Sequence, residues 1–386
     1  MRFSSLVERI GGQGAEAWQV HFDATRRAEA GEDVIFFSIG DPDFATPAPI
    51  VERAVAALRA GDTHYTELEG RLELRAAIAD RFAKRAGVAV AADNVVVVPG
   101  TQNALFAASL CLLDHGDEVL GFDPMYVTYE ATLRAGGADL VPVPTGPGFR
   151  IDVERVAAAI TPRTKAIAFA TPSNPTGVVA TAEELNGLAG LAVEHDLWVI
   201  ADEVYADLIY EGEHRSIAGL DGMAERAVTV SSLSKSHAMT GWRCGWLIGP
   251  RDLADHVARL TLPMLYGIPG FVQEAAIEAL AMPVDEMRAT YRRRRDLACK
   301  VLSAELPVLS PEGGMYVMVD VRGRGLSSGE FSLALLERKG VSALDAGAFG
   351  PNAEGWLRLA FTIGEERLEE GCHRIVEMAR ELPVVD

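Results

Sequence analysis

The sequence predicts an α/β protein, with one large domain built on a mostly parallel sheet flanked by helices and a second, smaller α/β domain. Three observations predict it. Between residues 94 and 250, short β-branched runs alternate with helical segments, the order of strands and crossover helices in a parallel sheet. The strand runs, Val95-Val96-Val97-Val98 above all, do not alternate with polar residues, which suits burial on both faces. And 386 residues exceed one ordinary core, since a domain takes roughly 150.

Strands are expected at 94–98, 118–121, 166–170, 198–201, 227–230 and 245–248, with helices at 102–113, 126–134 and 182–195. Thr181, with Glu184 three residues on, reads as the capping box of the last of these helices. The end of the chain repeats a smaller α/β theme. There 314–321 and 355–361 read as strands, 328–339 and 365–381 as helices, and 288–302 as a long connecting helix. The expected large domain spans 46–285. The expected small domain combines 286–386 with an N-terminal arm, 1–45.

Composition excludes several function classes. A net charge of -19 argues against nucleic acid, because phosphate neutralisation needs a basic surface. The run Arg292-Arg293-Arg294-Arg295 is the local exception and is expected to be a solvated helix face. Cys111, Cys244, Cys299 and Cys372 make no Cys-x-x-Cys pair, so neither a zinc site nor a disulfide framework is expected, and a reducing compartment fits. The charged start and the lack of a long apolar run predict no signal peptide, no membrane span and a cytoplasmic protein.

Chemistry-bearing residues fall at the expected strand ends, where open α/β sheets bind ligands. Gly100, Thr101 and Gln102 open a helix whose first N–H groups and dipole attract an anion. Thr171-Pro172-Ser173-Asn174-Pro175-Thr176-Gly177 is a loop stiffened by prolines, presenting the Asn174 amide. Asp202 ends a buried strand and needs a cationic or donor partner; Tyr205 follows three residues later. After 227–230 come Ser232, Ser234 and Lys235, with Arg243 eight residues beyond the lysine. An amine suits an aldehyde, and serines with an arginine suit a phosphate. Aldehyde and phosphate together describe pyridoxal 5′-phosphate, whose ring nitrogen takes an acidic partner.

With those residues in place, the chain resembles class I/II aminotransferases of the pyridoxal-phosphate fold type I, over nearly its whole length. The likeness rests on Ser38-Ile39-Gly40-Asp41-Pro42-Asp43-Phe44, His64-Tyr65-Thr66, Asp123-Pro124-Met125-Tyr126, the Asn174 loop, Asp202-Glu203-Val204-Tyr205, the Lys235 segment and Trp356-Leu357-Arg358-Leu359. The resemblance implies that Lys235 is the Schiff-base lysine and proton shuttle. It implies that Asp202 pairs with the pyridine nitrogen, Asn174 and Tyr205 with the 3-oxygen, and that Tyr126 stacks on the ring beside the substrate. Thr101, Gln102, Ser232, Ser234 and Arg243 are implied to hold the phosphate, joined by Tyr65 from a second subunit of a homodimer. Arg358 is implied to clamp the substrate α-carboxylate, with Asn174 and Gly40 beside it.

Among the subgroups, the Lys235 segment, Met264-Leu265-Tyr266-Gly267 and Tyr291-Arg292-Arg293-Arg294-Arg295-Asp296-Leu297 are similar to those of arginine–pyruvate transaminases. One aspartate-reading pattern has a lysine near the place of Gln102, so a dicarboxylate preference does not follow. The implied reaction moves the amino group of an L-amino acid, arginine or another with a long side chain, to a 2-oxo acid such as pyruvate. A guanidinium entering the pocket would need a carboxylate partner, for which Glu67, in the loop after Tyr65 on the subunit facing the partner's site, is one candidate. A C–S β-lyase on the same scaffold is the alternative. A dinucleotide-binding dehydrogenase would rest on Gly12-Gln13-Gly14-Ala15-Glu16-Ala17, which no strand precedes. A regulator would need a DNA-binding domain, for which 386 residues leave no room.

Overall fold

The computed structural model of the protein describes residues 2–11 and 18–384, so the Gly12–Ala17 motif lies outside the described residues. Seven strands form the main sheet: β1 (Val95–Val98), β2 (Glu118–Asp123), β3 (Asp139–Pro144), β4 (Thr164–Ala170), β5 (Trp198–Asp202), β6 (Ala227–Ser232) and β7 (Gly245–Ile248). Their spatial order is β1-β7-β6-β5-β4-β2-β3. Neighbours from β6 to β3 run parallel, and β7 runs antiparallel between β1 and β6. Burial on both faces follows from the apolar runs. Val96 and Val98 face one hydrophobic core with Ile200 and Val228, while Val95 and Val97 face another with Trp246 and Ile248.

Strand β3 was not among the expected strands. Its Pro142 and Pro144 break the β signal, and an edge position is where a strand tolerates proline; β3 is the sheet's last strand. The expected helix at 126–134 is shorter, Tyr129–Leu133, which leaves Tyr126 in the turn before it. The helix Ala182–Glu194 begins with the predicted capping box: the Glu184 N–H donates to Thr181 Oγ1 at 3.2 Å and the Thr181 N–H to Glu184 Oε2 at 2.6 Å.

A second, antiparallel sheet comprises β8 (Val308–Leu309), β9 (Tyr316–Asp320), β10 (Leu344–Asp345) and β11 (Trp356–Ala360), ordered β10-β11-β9-β8. The N-terminal segment joins this part, as Ile35–Phe36 pairs in parallel with Val341–Ser342. Helices Asp285–Leu302 and Glu365–Glu381 contribute Tyr291, Leu302, Ile375 and Met378 to its core, together with Phe37, Phe331 and Phe361. Tyr205, Leu208 and Tyr210 from beyond β5 reach into the same core.

The arginine run differs from the expectation of a solvated face. Arg292 and Arg293 are exposed, but Arg294 and Arg295 are buried. Arg294 donates to both carboxylate oxygens of Asp43, at 2.7 and 2.8 Å, and lies over the Phe44 and Tyr291 rings. Arg295 donates to Glu211 at 2.8 Å and to the Pro311 carbonyl at 3.0 Å. Four consecutive residues are spread around the helix axis, so they cannot all share one solvated face; carboxylates and aromatic faces make the burial of two tolerable. The Arg294–Asp43 pair anchors the segment that carries Gly40.

Candidate active site

Strand register builds the site. Val98 pairs with Gly245, which pairs with Ser232, so the ends of β1 and β6 meet the start of β7. Two residues inward along β6, Val230 is level with Asp202, and Asp202 with Ala170. The loops leaving these ends surround a cavity of about 400 Å³ between the two sheets.

One end of the cavity is an anion cradle. The helix Thr101–Leu112 starts there after Gly100, whose φ of 85° favours glycine. A Cβ on Gly100 would lie 2.5 Å from Arg243 Nη2, so the missing side chain is what admits the guanidinium. Arg243 is held by the Thr240 and Pro99 carbonyls at 2.9 and 3.0 Å. Ser232 and Ser234 are buried beside it. Thr101 Oγ1 is buried with no hydrogen-bond partner among the described residues, which is costly unless a ligand fills the role. The Gln102 side chain is taken up by Thr128 and Thr132, which leaves its backbone N–H for an anion. Helix N–H groups, three hydroxyls and a guanidinium form the donor set a phosphate monoester requires.

Next to the cradle, Lys235 Nζ donates to the Gly40 carbonyl at 2.7 Å. Across the cavity, Asp202 accepts from the Tyr129 hydroxyl at 2.7 Å and from the Val204 N–H at 3.0 Å. Burial pushes the Asp202 carboxyl up to about 6, against the lowering effect of those two bonds. A carboxylate so placed gains from a cation. Asn174 is buried and Tyr126 half-buried on the same wall. Burial holds the Tyr205 phenol well above its usual range, so it keeps its proton and can donate it. The residues present therefore fit pyridoxal 5′-phosphate: an amine for the aldehyde, a carboxylate for the ring nitrogen, phenol and amide donors, and a cradle for the phosphate.

At the other end lies Arg358 on β11, 1% exposed. It donates to the Ser38 carbonyl and, at 3.5 Å, to Asn174 Oδ1, while Nε has no partner among the described residues. Among the described residues no carboxylate pairs with it, and burial alone pulls its pKa down. A lone buried guanidinium is a site prepared for an anion. Two side chains that hold site residues, Tyr129 and Tyr316, are not apparent as such in the sequence. Tyr129 is signalled only by its place three residues after Tyr126. Tyr316 sits in an apolar strand and reads as core. Its ring lies 4.3 Å from the Arg358 guanidinium carbon, and its hydroxyl is 3.2 Å from that of Tyr205. Tyr65 does not line the cavity; it is 84% exposed and packs on Tyr266 at 5.3 Å between ring centroids.

Fold and cavity together define a pyridoxal-phosphate enzyme of the α/β type. The family model for aminotransferase class I and II matches residues 32–375. The arginine–pyruvate transaminase AruH of Pseudomonas aeruginosa is 52% identical over 99% of both chains, and the aromatic-amino-acid aminotransferase 2 of Thermococcus litoralis 38% identical over 93% of this chain and 95% of that one. The solved aspartate aminotransferase of Thermus thermophilus with maleate superposes with a TM-score of 0.93 at 36% identity, over 98% of this chain and all of that one. The chain belongs to the class I and II aminotransferases, and it is a pyridoxal 5′-phosphate-dependent enzyme that transfers amino groups between amino and oxo acids. These relatives act on different side chains, so the scaffold does not name the donor. No described helix is long and apolar enough to cross a membrane.

Proposed function

We propose that this aminotransferase moves the amino group of arginine, or of an L-amino acid with a similarly long cationic side chain, to pyruvate. The observation that carries the chemistry is the meeting of Lys235, Asp202, the anion cradle and the unpaired Arg358 in one cavity. The donor is supported by the 52% identity to a relative named arginine–pyruvate transaminase and by Gln102 standing where a dicarboxylate reader would place lysine.

Pyridoxal 5′-phosphate supplies, when bound, an electron sink for negative charge developing at the substrate α-carbon. Lys235 would hold the cofactor and supply the base for the α-proton; the Gly40 carbonyl aims its amine. Asp202 would keep the ring nitrogen protonated, with Tyr129 orienting Asp202. Tyr205 and Asn174 would donate toward the 3-oxygen, and Tyr126 would line the ring's place. Thr101, Ser232, Ser234, Arg243 and the Gln102 N–H would bind the phosphate. Arg358 takes the α-carboxylate, with Gly40 and Asn174 at its side, and so orients the reacting carbon.

Residues 46–285 form the large domain of this reading; 1–45 and 286–386 form the small one, with the cavity between. The enzyme works as a homodimer, in which Tyr65 reaches the partner's phosphate and Glu67 faces the partner's substrate. Support comes from the Tyr65–Tyr266 pair, two aromatic rings exposed away from their own cavity. Four unpaired cysteines suit a cytoplasmic setting. The test is a panel of amino donors with pyruvate and 2-oxoglutarate as acceptors. Arginine with pyruvate is expected to give the highest kcat/KM; if arginine is no donor, the substrate assignment fails.

A further inference from the structure

Tyr316 stands at the meeting point of three site residues. Its partner on β11 is Ala360, and Arg358 pairs with Met318, so Tyr316 and Arg358 are diagonal neighbours across an antiparallel pair, close enough for two long side chains to touch. The Arg358 guanidinium carbon lies over the Tyr316 ring, 4.3 Å from its centroid, and over the Phe349 ring at 5.0 Å. The Tyr316 hydroxyl bonds that of Tyr205 at 3.2 Å. A Cβ on Gly40 would come within 2.0 Å of this same hydroxyl, so position 40 has room for no side chain as long as Tyr316 stands there. Tyr316 is 4% exposed, which fixes its rotamer by packing.

We propose that Tyr316 is a positioning residue that holds the Arg358 guanidinium by its ring face and the Tyr205 hydroxyl by its own, setting both for one substrate. Among the described residues Arg358 meets neutral acceptors, the Ser38 carbonyl and Asn174, and aromatic faces, so the plane it presents to a carboxylate is set by those bonds together with the rings it lies over. Tyr205 can give its proton to a cofactor oxygen and still be bonded to Tyr316 only if Tyr316 is the donor of their shared bond. That bond polarises Tyr205 and makes it the stronger donor.

The inference rests on the reading of Arg358 as carboxylate clamp, and two variants of Tyr316 separate its two functions. The cofactor-loaded enzyme is titrated with propionate, a carboxylate that cannot react, and its visible absorbance is followed against pH. Tyr316→Leu is expected to weaken propionate binding roughly tenfold to thirtyfold, the loss of a desolvated cation–π contact. Tyr316→Phe keeps the ring face, so propionate binding should stay within about threefold of wild type. Its absorbance midpoint should move up in pH, in the direction of a Tyr205→Phe control and by less, because the 3-oxygen anion loses part of its stabilisation. Wild-type propionate binding in Tyr316→Leu, or an unmoved midpoint in Tyr316→Phe, overturns the proposal. Failure of the clamp reading looks different: Arg358→Gln itself would then bind propionate normally.

Discussion

Replacing Arg358 by glutamine tests how the enzyme recognises what all its substrates share. Arg358 is almost fully buried and pairs with no described carboxylate, so its charge is compensated only when a substrate carboxylate arrives. Two charge-assisted hydrogen bonds to that carboxylate are worth about 1.5–3 kcal/mol each, and part of this gain only restores solvation lost on burial. A net loss of about 3–5 kcal/mol on truncation corresponds to roughly 10²–10⁴-fold in kcat/KM. The assay is the half-reaction of the loaded enzyme with alanine and, as a control, with ethylamine, which has the amino group but no carboxylate. Arg358→Gln should lose the alanine rate by that factor while ethylamine turnover, slow in both proteins, changes by less than about threefold. An equal fall for both amines would mean that the substitution disturbs the site generally, and a fall below tenfold for alanine would refute the clamp.

Asp202 gives a pH prediction. Burial raises its pKa from 3.8 to about 6 in the native cofactor-free enzyme, so between those values the folded state holds a proton that the unfolded chain has released. Stability therefore falls as pH rises from about 4 to 6 and stays lower above. Asp202→Asn removes this cost. Denaturant unfolding of the cofactor-free variant should show a gain over wild type of up to about 3 kcal/mol at pH 7, closing below about pH 4; a gain that does not vary with pH would contradict the assignment. Tyr65→Phe should raise the dissociation constant for pyridoxal 5′-phosphate without lowering Tm, and sedimentation should find a dimer; a fully active monomer at assay dilution would refute the shared site. Glu67→Ala should raise KM for arginine roughly two- to fivefold and leave KM for alanine unchanged, an outcome read directly from initial rates.

Much of the large sheet is legible in the sequence because strands buried on both faces are continuous apolar runs bounded by turn residues, as at Val95–Val98 and Trp198–Asp202. Strand β3 escapes because its prolines, harmless on an edge, remove the β signal. The Arg292–Arg295 run misleads because local sequence shows charge, while the partners that bury it, Asp43 and Glu211, lie far away along the chain. The polar residues at strand ends are visible as motifs because Gly, Pro and Asn mark their loops. Tyr316 is not, because an aromatic in a strand looks like core; only the β9–β11 register shows it lying diagonally from Arg358. Tyr129 is hidden for the same reason, its hydroxyl partner Asp202 being supplied by a distant strand.

In this mechanism the Lys235 amine, aimed into the cavity by the Gly40 carbonyl, both carries the cofactor and moves the α-proton. Its most direct test is the Lys235→Ala protein, reconstituted with pyridoxal 5′-phosphate and mixed with alanine in a single-turnover experiment followed by visible absorbance. The variant is expected to show no absorbance band of lysine-linked cofactor and a proton-transfer rate lowered by roughly 10²–10⁴-fold or more, partly restored by added methylamine. Turnover at the wild-type rate would contradict it.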